Sequence, residues 1–252
     1  MPLKRVLIGA CFQKEKTVSN KVKAYTFKMR GENMTRIETF VAAAFAFAVT
    51  MLVISVGAVP DTMQDFVDAT KQIPAFTASC ALIMWIWHSH AVWCRRYGLE
   101  DGMTIFLSSC LIILVLTYIY PLRLMMQALF NRISNGYFPM EMTINYVWEL
   151  RFMFAFYGIG FLLLSVNFVA LYLYAQRKKE GLALDKGEYF DTQTEIYMWS
   201  IGAGIGALSL LFSLCLPADW IGFSGYVLFV LFPLLYGLGF YRNRARMSII
   251  EE

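Results

Sequence analysis

Residues 36–60 read RIETFVAAAFAFAVTMLVISVGAVP. From Thr39 to Pro60 the stretch carries no charged side chain. A hydrocarbon core about 30 Å thick needs roughly 20 mostly apolar residues in a helix, so this one run is long enough to cross. Five more uncharged runs of that size follow, at 72–94, 102–122, 152–176, 196–218 and 220–241. None shows a soluble amphipathic stripe, and the strand alternation of a membrane barrel is absent. Composition agrees, with 58% apolar and only 16% charged residues and a mean hydropathy of +0.54. Soluble domains run near a quarter charged, and 16% aromatics exclude a disordered chain. The expected fold is all-α integral membrane, with six transmembrane helices.

Basic residues set the expected orientation. Lys4, Arg5, Lys14, Lys16, Lys21, Lys23, Lys28, Arg30 and Arg36 precede the first run, against Glu15 and Glu32. Arg95 and Arg96 follow the second, Arg177, Lys178 and Lys179 the fourth, and Arg242, Arg244 and Arg246 the sixth. The loop after the first run instead carries Asp61, Asp65 and Asp68 against Lys71. By the positive-inside rule both termini are cytoplasmic. The chain divides into a basic N-terminal segment (1–36), a membrane domain (37–241) and a cytoplasmic tail (242–252). Residues 6–12 are too short an apolar run for a cleavable signal. The N-terminal segment is either an interfacial helix held by anionic lipid headgroups or a solvated tail. Two long connections are expected, an outer one at 125–151 with a short surface helix and a flexible charged inner one at 177–195.

Residues with possible chemistry are few. Cys80, Cys94, Cys110 and Cys215 lie in or beside the apolar runs and pack as small apolar groups. No cysteine pair has metal-ligand spacing. His88 and His90 are two residues apart and point to different helix faces, which argues against a shared metal. His88 is expected to hydrogen-bond and pack against the first helix. Asn167 needs a partner in lipid and is expected to bridge helices. Gly202 and Gly206 form a G-x-x-x-G, a signature of close helix packing, and Pro121 and Pro233 are expected to kink or end helices. No activated nucleophile or convergent carboxylate pair is present, so no enzyme, cofactor, metal site or nucleic-acid partner is expected.

The first run resembles the opening helix of the transmembrane protein 175 family of potassium channels. That family begins R-x-x-x-F-S-D-G, continues through an apolar helix containing a threonine, and ends near V-P. Arg36, Phe40, Thr50 and Val59-Pro60 match it, and Trp85 with His88 resembles the family's W-x-x-H segment. The S-D-G stands here as Val41-Ala42-Ala43. In the family, Arg36, Phe40, Trp85 and His88 fall at positions of an interhelical network.

The resemblance implies a homotetramer whose first helices line a potassium-preferring pore or leak pathway. At 100° per residue, Ala43, Phe47, Thr50, Met51, Ile54 and Ala58 lie within about 60° of Phe47. Phe47 falls where the family's narrowest apolar ring stands, Thr50 at its hydroxyl ring, and Met51 and Ile54 at further apolar pore positions. An apolar ring gates by dewetting. Asp61, Asp65 and Asp68 are placed to concentrate potassium ions at the outer mouth, or form an ordinary solvated loop. The chain has no T-V-G-Y-G filter sequence. The single six-span unit points to a prokaryotic inner membrane. The alternative is a non-conducting membrane anchor or sensor of the same fold, suggested by the missing S-D-G and the bulk of Phe47.

Overall fold

Thr35 starts the first helix, its hydroxyl accepting the Glu38 N–H at 3.0 Å and so satisfying one orphan donor of the first turn. In the computed structural model, which describes residues 27–55 and 60–251, this helix is α1 (Arg36–Ile54). It is followed by α2 (Met63–Lys71), α3 (Ile73–Tyr97), α4 (Gly102–Ile133), α5 (Val147–Arg177) and α6 (Lys186–Cys215). Short helical turns at Ala218–Trp220 and Val227–Val230 flank α7 (Phe223–Tyr226), and α8 (Leu231–Glu251) completes the fold. All regular elements among the described residues are helices.

Among the described residues four helices, α1, α4, α5 and α6, are long and apolar enough to cross a membrane. The run expected at 72–94 is α3, whose histidines and terminal arginines dilute its apolar character. The run expected at 220–241 is not one uniform helix: α8 begins only at Leu231 and continues past residue 241 into the expected tail. Pro121 does not end its helix, since α4 continues to Ile133. The connection expected outside accordingly shrinks to residues 134–146, and the surface helix lies instead at α2, in the loop after α1. The inner loop is also shorter than expected, because α6 starts at Lys186 and buries Gly187. In both extensions the helix continues past a charge because the fold gives that charge a partner, Glu141 for Arg123 and Arg30 for Glu188. The first 26 residues, with the lipid-binding or solvated-tail expectation and Cys11, lie outside the described residues, as do Ala58 and Val59.

Helices α5 and α6 pack backbone to backbone. A Cβ on Gly206 would stand 2.8 Å from the Leu162 nitrogen, and one on Gly158 would stand 2.8 Å from that of Leu210. Small residues permit this approach, and dispersion contacts replace the hydrophobic drive that lipid does not supply. Gly202 meets the Ser165 hydroxyl in the same seam, and Phe168 stacks on Trp199 at 4.0 Å between centroids. Asn167 donates to the Leu107 carbonyl at 3.1 Å, bridging α5 to α4 as expected. Helix α1 lies across α3 and α4, where Val41, Phe45, Ala48 and Leu52 join Ile83, Leu111 and Val115 in the core.

Polar side chains gather at the two ends. At one end the basic clusters meet: Arg96 pairs with Glu195 at 2.9 Å, Lys178 with Asp101, and Arg242 donates to Thr194 at 2.9 Å. Asp101 caps α4 through the Thr104 N–H at 3.1 Å. Burial raises its carboxyl pKa, but the hydrogen bonds from Lys178, Tyr174 and Thr104 outweigh that and hold it well below the usual carboxylate range. At the other end the buried Arg123 guanidinium binds Gln72 and, at 2.7 Å, Glu141, while Arg151 donates to the terminal carbonyls of α6.

The glycine seam predicts a sharp outcome. Gly206→Val forces α5 and α6 apart, an overpacking cost of about 1–3 kcal/mol or more. The detergent-solubilised protein should then lose its monodisperse size-exclusion peak at a markedly lower temperature than Gly204→Val. A Cβ on Gly204 meets nothing within 4 Å.

Candidate functional site

Helix α1 has two faces. Val41, Phe45, Ala48 and Leu52 are buried, each 3% exposed or less. The opposite face, with Phe40, Ala43, Ala46, Phe47, Thr50, Val53 and Ile54, is covered by nothing among the described residues. Phe47 is 55% and Ile54 62% exposed. Three of the four expected pore residues, Phe47, Thr50 and Ile54, therefore share an open face. Met51 turns partly into the core and packs against it. The Thr50 hydroxyl donates to the Ala46 carbonyl at 3.0 Å, so its proton is used within the helix and its oxygen lone pairs face outward.

The three carboxylates beyond α1 divide by role. Asp65 closes a capping box with Thr62, accepting the Thr62 N–H at 3.1 Å while Thr62 accepts the Asp65 N–H at 3.1 Å. Asp68 pairs with Lys71 at 2.8 Å, and hydrogen bonds from Lys71 and then Gln64 hold its carboxyl below the ordinary range. Asp61 belongs to neither pair and is exposed.

The motif residues do not form one network. Arg36 and Phe40 are exposed on α1, whereas Trp85 stacks on Trp199 of α6 at 5.4 Å between centroids. His88 lines a cavity of about 380 Å³ between α3, α5, α6 and α8, with Trp85, Arg96, Tyr172 and Glu195. Among the described residues no hydrogen bond or ring contact joins Arg36 or Phe40 to Trp85 or His88. The buried histidine is His90, 1% exposed, whose Nε2 lies 3.0 Å from the Ser108 hydroxyl and whose Nδ1 lies 3.6 Å from the Cys94 Sγ. Two residues of helix turn the histidines to different sides, and the inward side is the one facing α4. No cluster of three metal-ligating side chains exists among the described residues.

Three features escaped the sequence reading. Arg123 is 4% exposed inside α4; its only sequence signal was a charge close behind Pro121. Arg30 and Glu188 form a buried ion pair across 158 residues, which no local pattern announces. Phe27, read as part of a basic tail, is 7% exposed.

The comparisons fit this geometry. The profile of the family described as endosomal/lysosomal potassium channel TMEM175 matches residues 36–121. A relative from Marivirga tractuosa named "Potassium channel" is 31% identical over 237 residues, spanning 90% of this chain and 94% of its own. The chain belongs to the TMEM175 family of potassium channels. A crystal structure of the potassium channel MtTMEM175, a threonine-to-alanine variant in complex with a nanobody–MBP fusion, superposes with a TM-score of 0.76 at 29% identity. The match covers 87% of this chain and 97% of that one. The TMEM175 family profile spans α1, α2, α3 and the first part of α4, the helices that carry and back the open face.

The histidines give the prediction here. His90→Ala leaves a cavity and an unmatched Ser108 hydroxyl in the core, at a cost of about 2–4 kcal/mol. His88→Ala, at an exposed position, should stay within about 0.5 kcal/mol. Thermal denaturation in detergent separates the two.

Proposed function

We propose that four copies of this chain assemble around their α1 helices to form a potassium-preferring channel of the TMEM175 type. Six membrane-crossing segments place both termini in the cytoplasm of a prokaryotic inner membrane. The observation that carries this reading is the open face of α1, lined in order by Ala43, Phe47, Thr50 and Ile54. Small alanines at 43 and 46 let neighbouring α1 helices approach closely. Phe47 is the apolar gate: four rings strip water from an ion without offering oxygens, so the pore closes by dewetting. Thr50, one turn further out, supplies a ring of hydroxyl oxygens whose lone pairs suit a cation. Met51 backs the lining. Asp61 draws cations to the outer mouth, whereas Asp65 and Asp68 serve α2.

Potassium and sodium fluxes into liposomes test this directly. Phe47→Ala should raise potassium flux at least tenfold, because removing four rings wets the narrowest layer. Silence from both proteins, with folded oligomers confirmed, would favour the non-conducting anchor or sensor of the same fold.

The mouth gives an independent prediction. Asp61→Asn should lower potassium flux about two- to fivefold at 10 mM salt and little at 1 M, since screening shortens from about 30 Å to about 3 Å. Asp65→Ala should instead cost α2 about 1 kcal/mol of capping with no such salt dependence. A salt-independent loss at Asp61 would remove it from the mouth.

A further inference from the structure

The segment that enters α1 is tied down on both sides before the helix begins. The Arg30 and Gly31 amides both donate to the Arg95 carbonyl at the end of α3, at 3.1 and 3.0 Å. The approach is so close that a Cβ on Gly31 would meet the Cys94 carbonyl oxygen at 2.6 Å. Gly98, the residue past the end of α3, has φ +58, and a Cβ there would stand 2.8 Å from the Arg30 carbonyl. Only glycine suits both demands there. Phe27 seals the inner edge, with its ring edge-on to Tyr97 at 5.7 Å and under the Arg96 guanidinium at 5.1 Å.

Arg30 completes the attachment on the other side. Its Nη2 reaches Glu188 Oε2 at 2.6 Å and its Nη1 reaches Oε1 at 3.1 Å, a bidentate pair. Nε donates to the Leu182 carbonyl at 2.7 Å and Nη2 to that of Ala183 at 3.3 Å. Glu188 also accepts the Lys28 N–H at 2.8 Å, and its side chain is 3% exposed. A bidentate, fully engaged guanidinium fixes direction as well as distance. The strap from Phe27 to Gly31 thus joins the end of α3, the α5–α6 loop and the first turn of α6, and Thr35 opens α1 four residues later.

We propose that this strap is the cytoplasmic anchor that sets the position of the gate helix, with Arg30 and Glu188 as its positioning residues. The inference rests on the pore reading of α1. Neither residue touches the open face; they act by holding the entry to α1 against helices that do not line it. Releasing them lets α1 tilt away from the closed arrangement, so basal potassium flux rises while the lining, and hence the selectivity, stays as it was.

The test uses the full-length protein in liposomes, with hydrogen exchange followed in detergent. Arg30→Gln should speed exchange at the amides of residues 36–42 at least fivefold and raise potassium flux at least threefold, with the potassium-to-sodium ratio unchanged within twofold. Arg30→Lys, which keeps the charge and one donor nitrogen but not the bidentate fork, should reverse both effects only in part. Phe27→Ala should act in the same direction, and it decides the matter if Arg30→Gln gives no monodisperse size-exclusion peak. Unaltered exchange in α1 overturns the proposal. So does an unchanged or lowered flux where Phe47→Ala still raises it, and so does a flux that rises with lost selectivity. Were Phe47→Ala itself without effect, the pore reading would fail, and the strap's role in gating with it.

Discussion

The division of α1 into a buried and an open face is the constraint on which the rest of the molecule depends. In lipid an apolar side chain gains nothing merely by leaving the solvent, because the tails are as apolar as leucine. Val41, Phe45, Ala48 and Leu52 hold α1 to α3 and α4 by close packing alone, at exposures of 3% or less. That packing fixes which residues are left over. Turning α1 by one residue, about 100°, would bury Phe47 or Ala46 and bring core residues to the open side, with large cavities behind them. The identity of the candidate lining is therefore a consequence of how well the hidden face fits.

The helices behind α1 differ from it in how they are joined. Helices α5 and α6 meet along glycines with no room for a methyl group, and Trp199 is stacked on both Phe168 and Trp85. Such a seam has few neighbouring minima, since interiors at this density do not deform continuously. Among the described residues, helix α1 has no comparable seam and makes its directional polar contacts through the strap and the cap at its N-terminal start. A rigid frame beside a helix fixed chiefly at one end suits the proposed tilting of α1 against that frame.

Much of this was legible in the sequence, and the limits have physical causes. The uncharged run after Arg36 announced α1, and helical spacing about Phe47, the reference that the family resemblance supplied, grouped Phe47, Thr50 and Ile54 on one face together with Met51, which turns partly into the core. Gly202 and Gly206 announced the α5–α6 seam, and Asn167 its bridging role. Helix ends were misjudged because counting apolar residues stops at the first charge, whereas α4 and α6 continue as helices through Arg123 and Glu188. Spacing put the two histidines on different faces, but the expectation that His88 packs against the first helix did not identify the inward one: His90 is buried facing α4, while His88 is exposed at the cavity on the other side. Arg30 and Glu188 belong to a pair 158 residues apart, and a charge bound for such a pair looks like any other member of a basic tail. Asp65 had a signal that went unused: threonine followed three residues later by an acid is a capping box.

The replacement of S-D-G by Val41-Ala42-Ala43 takes on a different meaning in the fold. Val41 is 1% exposed and sits in the core between α1 and its neighbours. Well-packed apolar side chains can replace a buried polar network with no loss of stability, and often with a gain. What such a replacement gives up is direction, since dispersion contacts tolerate sliding that hydrogen bonds do not. In this chain the directional contacts at the start of α1 lie below it, in the Arg30–Glu188 pair and the backbone bonds to Arg95. Stability and register are thus separated along one helix, with apolar packing in the middle and polar geometry at the N-terminal end. A helix built in this way is held in place at its start, while among the described residues the hydroxyls of its C-terminal half bond only within the helix itself.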